Sequence, residues 1–420
     1  MAEALVPTDA SEGRSSVTFY APPTISTRMA RRKPETAVVH PRKEKGHGPM
    51  VEAVNLATTW RLDSAKQGAA FSSAHGPEAF YTRWGNPTTR VLEESVAELE
   101  GGARAIATGS GMGAISPAIL TMVSKGDHVV AGKSLYSATT ELFTRILPRF
   151  GVKTTFVDPR KHGAWSAAAT EKTTLLYAES PANPTMDLTD LREAAEAAHG
   201  VGAIAMTDNT FATPINQRPL EHGVDGVLHS ATKYLGGHSD VVAGAAVSAK
   251  PRLHDRIWFT YKLLGPTLGP FEGFLVRRGV KSLPLRMRQH NANAQALAEF
   301  LEDHRAVRVV HYPGLTAFPQ HALAKRQMDG YGAMLSFELR GGYRPGKRFV
   351  ESVEVATLAV SLGGVETLVQ HPASMTHGPL TEEERRTGGI SEGLVRVSVG
   401  LEDMADLIED FDRALRAAKG

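Results

Sequence analysis

From Asn86 onward, short apolar runs alternate with amphipathic stretches. The runs Ala105-Ile106-Ala107, 128–131, 154–157, 174–177, 203–206 and 226–228 are too short for helices and predict strands. Residues 139–150 and 190–199, lying between them, carry helical spacing. Nearly unbroken apolar runs mean strands buried on both faces, which predicts a parallel sheet with helical crossovers. The helix ahead of the first strand is the best marked. Asn86 can cap it, Pro87 suits its first position, Val91, Leu92, Val96 and Leu99 form its stripe, and Gly101-Gly102 stops it.

The pattern changes after Pro270. The spacing predicts one helical stretch over about 271–303, with Pro284 as its internal breaker. Strands follow at 335–339 and 394–399, with helices at 346–353 and 402–418. This predicts an α/β chain in three parts: an N-terminal segment at 1–85, a large parallel-sheet domain at 86–284, and a smaller C-terminal α+β domain at 285–420. A length of 420 residues accommodates that division.

Composition narrows the function. Lys and Arg number 47 against 45 Asp and Glu, too even a balance for binding nucleic acid by counterion release. The absence of cysteine removes disulfides, thiolate metal sites and thiol nucleophiles together. No apolar run approaches the ~20 residues of a membrane span, and residues 1–16 lack the features of a secretory signal. A cytoplasmic protein is expected. The basic stretch at 26–35 reads as a terminal extension rather than a binding arm, because no aromatic residues interleave its cations.

In an open parallel sheet, ligands sit beyond the carboxyl ends of the strands. Four predicted strand ends here are unusually polar. The first runs into Thr108-Gly109-Ser110-Gly111-Met112-Gly113, which can present successive amides to a phosphate. Its glycine spacing departs from the dinucleotide fingerprint, and no acid ends a strand about 20 residues later. The others end in Glu179-Ser180-Pro181-Ala182-Asn183-Pro184, Asp208-Asn209-Thr210 and His229-Ser230-Ala231-Thr232-Lys233. A lysine at a buried strand end is costly unless desolvation serves it, and such a lysine can form a Schiff base. An acid on the neighbouring strand is what pyridoxal phosphate requires, to keep its ring nitrogen protonated. His229, His238 and His371 match no metal-ligand spacing and read as structural.

These motifs resemble those of the cysteine/methionine-metabolism pyridoxal-phosphate enzymes, the trans-sulfuration family. The resemblance starts near Glu52 and takes in Tyr81-Thr82-Arg83-Trp84-Gly85-Asn86-Pro87-Thr88, Ser110-Gly111-Met112, Leu285-Arg286-Met287, Gln370-His371-Pro372-Ala373-Ser374-Met375-Thr376-His377 and Val395-Arg396-Val397-Ser398-Val399-Gly400. It implies the type I, aspartate aminotransferase-like fold and pyridoxal 5'-phosphate as cofactor. It implies that Lys233 carries the Schiff base and moves protons, and that Asp208 pairs with the ring nitrogen. Gly111, Met112, Ser230 and Thr232 would hold the phosphate. Tyr136 would stack on the ring and supply a phenol for acid–base work, and Asn183 would face the ring's phenolate side. Arg396 and Ser361 would grip the substrate carboxylate. Tyr81 and Arg83 would reach a neighbouring subunit's phosphate, implying a homotetramer of two active dimers. Glu179 reads as a structural acid rather than a direct catalyst.

Within that family the resemblance leans toward methionine γ-lyase, since Val360 stands where cystathionine-cleaving relatives often carry an acid. Ala138 departs from the cysteine usual in methionine γ-lyases, Glu272 from the usual Asp, and Phe211 from Tyr or Trp. Three readings follow: γ-elimination from methionine; elimination or substitution on cystathionine, an activated homoserine ester or a halogenated amino acid; and a scaffold without catalysis. Intact Lys233, Asp208, Tyr136 and Arg396 weigh against the last.

Overall fold

The computed structural model describes residues 32–40 and 49–418, apart from 377, 379, 380 and 388. Most of the basic stretch at 26–35, together with His377, lies outside the described residues. The described residues from Pro34 onward form one compact unit.

Seven strands make the large sheet: β1 (Arg104–Thr108), β2 (His128–Gly132), β3 (Lys153–Val157), β4 (Thr173–Glu179), β5 (Ile204–Asp208), β6 (Gly226–Ser230) and β7 (Gly244–Ser248), in the order β1-β7-β6-β5-β4-β2-β3. The six predicted runs all form strands. The sheet is nevertheless mixed, because the unpredicted β7 runs antiparallel to both β1 and β6. Its sequence, Gly-Ala-Ala-Val-Ser, offers one branched side chain and so a weak strand signal.

Helices bury both faces. On one side Ile115 and Ile119 of the helix Gly111–Met122 pack with Leu175 and Tyr177 of β4 and with Ile257 and Trp258 of the helix Pro251–Leu264. On the other, Leu176 and Ala178 meet Ala194 and Ala198 of the helix Leu191–Gly200. Each fully buried Leu or Ile contributes about 1.5–3 kcal/mol of transfer free energy. The helix Pro87–Glu100 begins and ends as its sequence predicts. The Asn86 side chain accepts from the Thr88 amide at 2.9 Å, and Gly101 turns left-handed at φ 75°.

The stretch expected as one helix at 271–303 is two, Pro270–Lys281 and Leu283–Asp303, broken at Ser282. Pro284 falls in the first turn of the second helix, where its missing N–H leaves no bond unmade. The helix expected at 139–150 also changes along its length, from α (Ser137–Glu141) through a π turn (Leu142–Ile146) to a 3-10 turn containing Pro148.

A second sheet holds β8 (Val307–His311), β9 (Met334–Leu339), β10 (Thr357–Leu358), β11 (Leu368–Gln370) and β12 (Leu394–Ser398), ordered β10-β11-β12-β9-β8. One apolar cluster ties it to the large sheet: Val227 and Val247 share a core with Met287 and Leu297 of the long helix and with Leu335, Phe337 and Val395. That shared core fixes β12, and Arg396 on it, against the carboxyl ends of the large sheet.

Candidate active site

The polar motifs converge where the parallel strands end. After β1, Ser110 caps the helix Gly111–Met122, its hydroxyl accepting from the Gly113 amide at 2.9 Å. The opening amides at Gly111 and Met112 sit at the positive end of that helix. A side chain at Gly111 would place its Cβ 2.8 Å from the Ser230 Cβ, so only glycine lets the two segments approach this closely. The Met112 sulfur accepts from the Thr139 hydroxyl at 3.8 Å.

Lys233 follows β6. Its Nζ donates to the Ser361 hydroxyl at 2.5 Å, a contact spanning 128 residues of sequence. Burial, helped by the Arg396 guanidinium, pulls the Lys233 amine down to about 8. Ser361 has φ 81°, in the left-handed region that costs a non-glycine residue about 1–3 kcal/mol. That conformation lets its carbonyl accept from Arg396 Nη2 at 2.6 Å while its hydroxyl meets Lys233. Arg396 Nη1 donates to Asn183 Oδ1 at 3.0 Å, and Arg396 Nε is buried without a partner. This arginine forms neither of the pairs with Glu392 or Asp403 that its strand would allow: Arg385 takes Glu392, and Asp403 caps the helix Met404–Ala417. Burial brings the Arg396 guanidinium down to about 10.

Asp208 ends β5, buried, and its Oδ1 accepts from the Thr210 amide at 2.9 Å. Burial raises its carboxyl, with Thr210 and the charge of His229 pulling the other way. Its register partner on β4 is Glu179. Burial and the Asp208 charge push Glu179 up to about 8. Glu179 accepts from the amides of Tyr136, at 2.7 Å, and Asn183, at 3.0 Å. The Thr210 hydroxyl in turn accepts from the Ser230 amide at 2.8 Å. Thr210 thus links Asp208 to Ser230, a role whose one signal in the sequence is its place two residues after Asp208.

Other expected residues stand apart. Tyr136 is 46 % exposed and Val360, beside Ser361, 59 % exposed. The Thr232 hydroxyl is engaged with the Ala243 backbone, donating to its carbonyl at 3.1 Å and accepting from its amide at 3.0 Å. Arg83 donates to the Lys262 carbonyl at the end of the helix Pro251–Leu264, and its guanidinium lies 5.2 Å from the Tyr81 ring centroid. The histidines have structural partners: His229 bonds buried Glu100 at 2.7 Å, His238 the Gly236 carbonyl, and His371 both Ser374 and the Glu392 carbonyl.

A desolvated lysine, a buried acid one strand away and a helix N-terminus closed at position 111 to any side chain larger than glycine have the chemistry that pyridoxal phosphate requires. Residues 35–416 match the family of Cys/Met metabolism PLP-dependent enzymes, and the chain belongs to it. It is 48 % identical over 373 residues to an L-methionine gamma-lyase of Treponema denticola, covering 88 % of this chain and 93 % of that one. An L-methionine gamma-lyase of Porphyromonas gingivalis is 47 % identical, with 89 % and 94 % covered. The crystal structure of cystathionine gamma-lyase from Lactobacillus plantarum complexed with L-serine superposes with a TM-score of 0.87 at 39 % identity, over 92 % of this chain and 100 % of that one. The fold is therefore that of the trans-sulfuration enzymes.

Proposed function

We propose that the chain catalyses γ-elimination from an L-amino acid with an uncharged γ-leaving group, methionine above all. One water is consumed, and a thiol, 2-oxobutanoate and ammonia are released. The observation that carries this reading is Val360, an exposed apolar side chain next to Ser361, whose two oxygens meet Lys233 and Arg396. An apolar group there suits a thioether and offers a distal ammonium no partner. The names of the 48 % and 47 % identical relatives support the same choice.

Pyridoxal phosphate, when bound, withdraws the electrons left behind as bonds at the substrate's Cα and Cβ break. Gly111, Met112 and Ser230 would hold its phosphate and Asp208 its ring nitrogen. Thr232 would support that loop through Ala243. The unpartnered Arg396 Nε, with Asn183 beside it, would take the substrate carboxylate, a task suited to a planar guanidinium. Lys233, neutral in part at physiological pH, would remove the α-proton, and loss of a β-proton would follow so that the γ-group can leave. Tyr136 would protonate the leaving sulfur. Tyr81 and Arg83, which lie against each other and the Lys262 carbonyl, would serve a neighbour's phosphate. Exposed Phe259, Leu263, Leu264 and Phe271 support association into a homotetramer of two active dimers. We place this enzyme in the cytoplasm and retain a division at residues 86 and 285 into cofactor-binding and smaller domains.

A second reading, cleavage of cystathionine or substitution on an activated homoserine ester, is favoured by the likeness to a cystathionine gamma-lyase. The test is to incubate holoenzyme with methionine, cystathionine, O-acetylhomoserine and a γ-halogenated amino acid. Methionine should yield thiol, 2-oxobutanoate and ammonia in equal amounts. Turnover of cystathionine without turnover of methionine, or recovery of a γ-substituted amino acid, would overturn the preferred reading.

A further inference from the structure

Glu179 belongs to the site without touching any group that would react. Its side chain is buried at the end of β4, directly across from Asp208. Two neighbouring carboxyls in a buried setting are costly, and packing alone would favour a neutral residue. What occupies the carboxylate is a pair of backbone amides from two different connections. Oε2 accepts from Tyr136, in the turn after β2, and Oε1 accepts from Asn183, in the turn after β4. The second turn continues the chain of contacts: Asn183 Oδ1 accepts from Arg396, whose other arm holds the Ser361 carbonyl.

We infer that Glu179 is a positioning residue that ties the Tyr136 turn to the Asn183–Arg396 pair, fixing the distance from the phenol to the substrate's carboxylate anchor. This rests on the roles proposed above for Tyr136 and Arg396. The need is geometric. The anchor sits at the α-carbon end of the substrate, whereas the phenol must reach the γ-leaving atom. Tyr136 is 46 % exposed, so packing does little to hold its ring. The carboxylate on its backbone amide is the restraint the chain supplies there. Two amides arriving from separate turns also need two acceptor oxygens. Glutamine has one, and its NH2 group would face the other amide donor to donor.

Glu179→Gln keeps the size and burial of the side chain and removes one acceptor, so it reads the tie directly. Holoenzymes of wild type and variant would be compared by hydrogen exchange resolved to segments 134–140 and 180–186. The same pair would be assayed for exchange of the substrate α-proton and for Cγ cleavage. The tie predicts amides exchanging about tenfold faster in at least one of the two segments. It also predicts Cγ cleavage falling about tenfold or more with KM raised, while α-proton exchange at saturating substrate stays near wild type, since Lys233 performs it. Wild-type protection in both segments would overturn the inference. So would equal losses of α-exchange and cleavage accompanied by a lowered melting temperature, the pattern of a merely structural residue. If Glu179→Gln does not fold, Glu179→Asp keeps both oxygens but withdraws them by one methylene. It must show the same split more weakly, and wild-type behaviour there would also overturn the tie. Failure of the wild type itself to turn over any γ-substituted amino acid would refute the proposed function, whereas the exchange measurement would still decide the role of Glu179.

Discussion

Lys233 shows how one side chain acquires its reactivity from neighbours distant in sequence. Burial and the Arg396 charge both disfavour its ammonium form, so the amine is pulled down to about 8 in the fold, against about 10.4 in an unstructured chain. The neutral amine is the nucleophile, so capture of pyridoxal phosphate by the apoenzyme should accelerate as pH rises through about 8 and level off above it. Stopped-flow absorbance across pH 6 to 11 would measure this. Arg396→Gln, which removes the charge and keeps a polar side chain, should move the midpoint upward. A wild-type rate still climbing between pH 9 and 10.5 would show that the amine is not desolvated. The place of Lys233, Asp208 and Asn183 at the polar carboxyl ends of neighbouring strands was legible in the sequence, because a parallel sheet gathers those ends. The grip on Lys233 by Ser361 was not, since the contact spans 128 residues and depends on a strained φ of 81° that no local pattern announces. Nor does any local pattern announce the bonds of the Thr232 hydroxyl to the Ala243 backbone, 11 residues on.

At the scale of elements, burial decided what the sequence could reveal. Strands β1, β2, β4, β5 and β6 stood out because both of their faces are covered, which demands consecutive apolar residues, whereas the edge strand β3 leaves Lys153 and Thr155 exposed. β7 is just as buried but satisfies the same demand with two alanines and a glycine, whose small size admits the neighbouring connection after β1: the space for a Cβ at Gly244 is taken by the Ser110 carbonyl 2.1 Å away. A strand chosen for smallness leaves little hydrophobic pattern. The region after Pro270 carried helical spacing throughout, so its break at Ser282 was hidden. Proline reads as an interruption, whereas here Pro284 starts the second helix. The signatures at the ends of the helix Pro87–Glu100 were legible because capping depends on residues one or two positions apart.

The whole molecule bears on assembly and on the reaction together. Arg83 donates to Lys262 in the last turn of the helix Pro251–Leu264, and Lys262 is next in sequence to exposed Leu263 and Leu264. If it serves a neighbour's phosphate, Arg83→Ala and Lys233→Ala would disable sites by removing groups from opposite chains. Refolding the two feeble variants together in equal amounts gives mixed dimers in about half of pairings, each with one intact site, so activity should return to about a quarter of wild type per site. No recovery, with mixed dimers verified by native mass spectrometry, would place Arg83 in its own chain's site. All of the chemistry proposed above runs through Lys233. The most direct measurement reduces the holoenzyme with borohydride, which fixes the cofactor to the amine holding it, and maps the peptides by mass spectrometry. The account predicts the phosphopyridoxyl mass on the peptide containing Lys233 and on no other. The same mass on a different lysine, with Lys233 unmodified, would contradict it.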